Sequence, residues 1–122
     1  MIVAVEMARR LGIKEGDAIA VVNEPPDFWE VMRPLPRDVE VFERATRPLD
    51  VIVYFSDEVK SIERRVPAFA EMIVQGGSLW VGHLRDRVAT AYVDRTGARA
   101  GLATAELLDA GGGWMLRRLT KR

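Results

Sequence analysis

Three short runs of uninterrupted apolar residues, at 18–22, 51–55 and 79–81, constrain this chain more than any other feature. A strand with water on one face alternates apolar and polar side chains. A run such as Ala18-Ile-Ala-Val-Val22 has no polar interruption, which suits a parallel strand covered on both faces. Between the second and third runs, Val59, Ile62, Val66, Phe69 and Ile73 recur at steps of three or four and form one helical stripe. Strand and helix in alternation predict an α/β chain in three layers, a mainly parallel sheet with helices on its faces. A length of 122 residues suits one domain, 1–122, around one core.

The remaining segments fill in this plan. Residues 3–11 read as a short helix with Val3, Met7 and Leu11 on one face, stopped at Gly12. Pro25 and Pro26 open a unit in which 27–32 forms one short helix, ended by Pro34 and Pro36. Residues 39–43 alternate and read as a short strand near an edge. Ser56 stands at an N-cap position before the long helix, with Asp57 and Glu58 in its first turn. Pro67 is expected to kink or split that helix, and Gly76-Gly77 to close it. Residues 89–100 read as a helix, weakened by Gly97. Residues 102–109 and 114–119 read as an antiparallel hairpin across Gly111-Gly-Gly113.

Composition narrows the function classes. Formal net charge is zero, with 18 basic and 18 acidic side chains, and a dedicated nucleic-acid binder is disfavoured without a basic excess. The absence of cysteine removes disulfides, thiolate chemistry and cysteine-based metal sites. With His83 the only imidazole, no metal site is expected. No apolar run is long enough to span a membrane and the N-terminus lacks a signal-peptide layout, so the expected location is the cytoplasm.

The order of motifs resembles that of class I methyltransferases. Gly-Ile-Lys-Glu-Gly16 precedes the first strand, Asp50-Val-Ile-Val-Tyr-Phe55 forms a middle strand, and Gln75-Gly76-Gly77 stands where that family often has Pro-Gly-Gly before its fifth strand. The resemblance implies a Rossmann-like, methyltransferase-like fold with a C-terminal antiparallel hairpin. The chain is about half the usual length for that family, and one strand–helix unit between Glu43 and Asp50 is missing. The chain is also similar to a family of small bacterial proteins of unknown function that share Leu11–Lys14, Asn23–Phe28 and Gly76–Val81. That second resemblance brings no activity with it.

Ligands of open α/β sheets bind outside the carboxyl ends of the strands, and this places the candidate residues. Asn23, Glu24 and Pro25 follow the first strand, where nucleotide-binding folds carry a glycine-rich loop. Glycine there lets the backbone approach the ligand and present N–H groups, whereas Pro25 and Pro26 remove two donors and stiffen the turn. A rigid structural turn is the preferred reading. The segment also departs from the Asn/Asp-Pro-Pro-aromatic motif of amino-group DNA methyltransferases, because Glu24 separates Asn23 from the prolines and Asp27 separates them from Phe28. Glu43 ends the second strand, where an acid can hold ribose hydroxyls, although acids at exposed strand ends are common. Ser56 and Asp57 end the 51–55 strand, and helix capping accounts for both. His83 suits proton transfer near neutrality, but no partner adjoins it in sequence, and a surface-loop histidine is preferred.

Arg85 and Arg87 suggest an anion site or, preferably, a solvated loop. Phe28 and Trp29, near the pocket mouth, could stack on a flat ligand or, preferably, cover the sheet as core; Trp80 reads as core, and Trp114 as lying at the hairpin edge. Arg117, Arg118, Lys121 and Arg122 form a basic tail that would blunt an exposed edge strand.

These features favour a non-catalytic Rossmann-like module that binds a small molecule or a protein, with no catalytic residue and no cofactor. A minimal S-adenosylmethionine-dependent methyltransferase is the first alternative. A regulatory or structural homodimer acting through its surface is the second.

Overall fold

The computed structural model describes residues 3–122, with side chains from Met7 onward. The elements run α1 (Val3–Arg10), β1 (Ala18–Val22), α2 (Phe28–Met32), β2 (Glu40–Phe42), β3 (Leu49–Phe55), α3 (Val59–Met72), β4 (Ile73–Leu84), α4 (Thr90–Arg99), β5 (Ala103–Gly111) and β6 (Trp114–Thr120). One six-stranded sheet has the order β2-β1-β3-β4-β6-β5. β2, β1, β3 and β4 are parallel, while β6 runs antiparallel between β4 and β5. The hairpin therefore inserts its second strand into the sheet and leaves β5 as the edge.

The apolar runs are buried on both faces, and successive residues alternate between two core layers as the pleat requires. Ala20, Val22, Ile52, Tyr54, Leu79 and Val81 meet Ile62, Val66 and Phe69 of α3 and Val93 of α4. Ile19, Val21, Val51, Val53, Phe55 and Trp80 meet Ala8 and Leu11 near α1 and Phe28 and Met32 of α2. Trp80 is fully buried and donates its indole N–H to the Leu11 carbonyl at 2.9 Å, tying the end of α1 to β4. Of the helical stripe expected over 3–11, Met7 and Leu11 are described and Val3 lies outside the described side chains.

Several local expectations change. Pro67 does not split α3, which is continuous over Val59–Met72. Gly76 and Gly77 do not end the helix. They lie inside β4, in a bulge where Leu49 opposite Ile73 gives way to Val51 opposite Ser78. A Cβ on Gly77 would sit 2.7 Å from the Asp50 carbonyl, so close backbone approach explains that glycine. Gly97 is similarly explained: a Cβ there would lie 2.8 Å from Leu119, and its absence lets α4 pack against β6.

The crossover from β2 to β3 has no helix, only the segment between Phe42 and Leu49. A parallel crossover normally needs a dozen or more residues. Here β2 is so short that its last residue, Phe42, pairs with Ala20 near the middle of β1, and the return path is correspondingly short. Phe42 and Ala45 pack on the α3 and α4 layer and cover the face above β1.

The basic tail is also reassigned, because β6 is an interior strand. Arg117 approaches Asp94 at 2.8 Å, Arg118 donates to Ser78 and Glu106, and Lys121 donates to the Ala70 and Ile73 carbonyls at 2.9 Å, closing the end of α3.

Candidate functional site

The carboxyl ends of β1, β2, β3 and β4 point to one edge of the sheet, together with the β5–β6 turn, since Leu84 pairs with Trp114. The loop after β1 turns sharply without glycine. Asn23 (φ 59°) and Asp27 (φ 71°) both occupy the left-handed region. Short polar side chains are the ones that tolerate this conformation, so asparagine and aspartate supply the bend that glycine supplies elsewhere. What the loop lacks is the Cβ-free approach and the donors at Pro25 and Pro26.

The segment 24–29, which comprises the loop after β1 and the start of α2, divides two cavities. The first, of about 350 Å³, lies between the ends of β1 and β2 and is lined by Glu24, Trp29, Arg33 and Glu43 among others. The Trp29 indole N–H donates to Glu24 Oε2 at 2.9 Å and orients that carboxylate. Glu43 is exposed just past β2, and among the described residues it forms no ion pair. The second cavity, of about 360 Å³, lies on the other side of the loop. Pro25, Pro26, Asp27, Phe28, Phe55 and Trp114 contribute to its lining.

The structure thus brings Glu24 and Glu43 to one cavity and places Asn23 and Pro25 in the loop beside it. The other sequence candidates lie elsewhere. Ser56 is buried and does not cap α3 directly. Glu58 is the N-cap residue, and Ser56 Oγ instead accepts from the Glu58 N–H at 3.1 Å in a local turn. Asp57 is exposed and lies 3.9 Å from Arg87. Asp57 and Glu58 precede the helix, whose first turn carries no acid.

His83 is corrected from a surface loop to the interior. It is 1% exposed, on β4, because this strand extends to Leu84. Nδ1 lies 3.0 Å from the Val88 carbonyl and Nε2 lies 3.2 Å from Thr90 Oγ1. A carbonyl only accepts, so Nδ1 carries the proton and Nε2 accepts from the threonine hydroxyl. Burial pushes the His83 pKa below the ordinary histidine value, consistent with a neutral ring that pins the loop between β4 and α4. Arg85 pairs with Asp109 at 3.0 Å on the exposed surface.

Sequence reasoning did not single out Phe55 or the Gly111–Gly113 turn as parts of a cavity. Phe55 lies at the end of a buried run, and only the sheet order brings the hairpin turn alongside it.

No protein-family profile and no curated protein sequence matches the chain. Solved structures do. A SAM-dependent methyltransferase from Aquifex aeolicus superposes with a TM-score of 0.65 at 11% identity, covering 95% of this chain and 88% of that one. A methyltransferase from Pyrococcus furiosus gives 0.60 at 8% identity, covering 97% and 82%. The fibrillarin pre-rRNA processing protein of Methanococcus jannaschii gives 0.61 at 9% identity, covering 89% and 68%.

The fold is the Rossmann-like fold of class I methyltransferases, mostly parallel with an antiparallel C-terminal pair, as the motif order implied. The expectation of no cofactor is overturned by the same neighbours, one of which is described as a SAM-dependent methyltransferase. That expectation rested on the missing glycine loop, whose bend Asn23 and Asp27 provide by other means. Among the described residues, no helix is long and apolar enough to cross a membrane.

Proposed function

We propose that this chain binds S-adenosylmethionine at the carboxyl edge of its sheet and acts as a minimal methyltransferase. The observation that carries the reading is the cavity at the ends of β1 and β2, where Glu24, Trp29 and Glu43 converge in a methyltransferase fold. The chemistry of this set suits the cofactor. A nucleotide's phosphates would need a cradle of N–H donors. S-adenosylmethionine has no phosphate; it offers ribose hydroxyls, an adenine ring, a sulfonium cation and an amino acid end. Glu43 would accept from the ribose hydroxyls, Trp29 would face the flat base, and Glu24 would favour the cation. Arg33, in the same lining, would meet the carboxylate of the amino acid end. The prolines after β1 are compatible with this ligand, because no phosphate has to be held there.

Calorimetric titration with S-adenosylmethionine and S-adenosylhomocysteine tests the reading. Binding should be accompanied by stabilisation of about 2.7 kcal/mol at a hundredfold excess over the dissociation constant. Glu43→Gln should weaken binding about tenfold or more, since a hydrogen bond to a charged acceptor is worth about 1.5–3 kcal/mol. The absence of both binding heat and a thermal shift at millimolar cofactor would overturn the reading.

A further inference from the structure

The second cavity has a different character, and from it we infer a site for a planar aromatic small molecule that carries a hydrogen-bond donor or a positive charge. Its walls combine three rings held by one another with the aliphatic side chains of Met7, Val31 and Leu116. Phe55 meets Phe28 and Trp114 edge to face, with centroids 5.3 Å apart in both pairs. Phe55 is seated by Gly82, where any Cβ would overlap its ring. The rim is equally fixed on one side, because Pro25 and Pro26 have restricted backbones. On the other side the hairpin turn contributes Gly111 and Gly112, which project no side chain.

The volume of about 360 Å³ falls in the range of small-molecule sites, roughly 300–1,000 Å³. Among the described residues lining it, Asp27 is the only charged one. Rigid aromatic walls favour a flat ring system over a flexible chain, which would lose more conformational freedom on entry. A lone carboxylate favours a donor or a cation and disfavours an anion.

The segment 24–29 separates the two cavities, so the aromatic molecule would occupy a site distinct from that of the cofactor. That the neighbouring cavity holds the cofactor is the reading proposed above; the binding of the aromatic molecule does not depend on it.

The test is a titration of the isotope-labelled full chain, followed by NMR, with three probes: 2-(aminomethyl)naphthalene, 2-naphthoate and hexylamine. The naphthyl amine should bind at least tenfold more tightly than either other probe and should shift the Trp114 indole N–H more than that of Trp29. Asp27→Asn, at an exposed position, should reduce the preference for the amine over the carboxylate to near parity. Trp114→Leu should weaken the naphthyl amine at least tenfold, with thermal unfolding confirming that the variant is folded.

Equal binding of hexylamine, a response centred on Trp29, or no binding at millimolar probe would overturn the inference. Repeating the titration with saturating S-adenosylhomocysteine separates the two readings. Simultaneous occupancy supports two separate sites, and competition overturns that separation. Naphthyl binding without any cofactor binding would leave the aromatic site standing and sink the cofactor reading alone.

Discussion

At the scale of single residues, packing and protonation decide more than residue type does. Gly82 directly follows the apolar run at 79–81, and its missing side chain is what seats Phe55. Gly82→Ala should destabilise the protein by about 1–3 kcal/mol, the usual cost of overpacking, as read from urea denaturation. His83 makes a pH-dependent contribution. Its folded pKa is lowered by burial, so between that value and the ordinary value near 6.5 the unfolded chain binds more protons than the folded one. Stability should therefore fall as pH drops below about 6.5 and level off once the folded pKa is passed. His83→Gln should flatten that part of the pH profile while keeping hydrogen-bonding capacity at the site. An unchanged profile in the variant would assign the effect to other groups.

At the scale of elements, the strands were legible and several terminations were not. The apolar runs predict β1, β3 and the centre of β4, because burial on both faces excludes polar residues, and the alternation at 39–43 predicts β2, although its Val41 is exposed. The end of α3 is misread from Gly76-Gly77 because a glycine pair marks a helix stop and a strand bulge equally well. Pro67 is exposed inside α3, and a proline in a helix interior is disfavoured by about 3 kcal/mol relative to alanine. Pro67→Ala should stabilise the protein by up to about 3 kcal/mol, read as a higher urea midpoint, without changing the fold. A lowered midpoint would mean that the proline makes a favourable contribution of its own. Lys121→Met should lower stability modestly by leaving the Ala70 and Ile73 carbonyls without the ammonium donor, which a thermal melt would register.

At the scale of the whole molecule, the sheet order makes the candidate site. β6 lies between β4 and β5, and this brings the Gly111–Gly113 turn beside Phe55 and the proline loop. The same order ranks the strands by protection. β1, β3 and β4 are interior and covered on both faces, whereas β2 is a three-residue edge and β5 is largely exposed. Native-state hydrogen exchange should be slowest in β1, β3 and β4 and fastest in β2, and cofactor binding should slow exchange at the end of β2. Exchange in β2 as slow as in β3 would contradict this hierarchy.

The sequence by itself determined the class of fold, because burial on both faces forbids polar residues in a parallel strand and a helical stripe must repeat every three or four positions. It also placed Glu24 and Glu43 at strand ends, since position along a strand follows from the chain alone. Which of these acids share a cavity, how a loop of prolines turns without glycine, and that His83 lies inside were decided by tertiary structure. The physical reason is that each depends on residues distant in sequence. Glu24 and Glu43 line one cavity only because β1 pairs with β2, and His83 is buried only because β4 runs on to Leu84 beneath the loop that leads to α4.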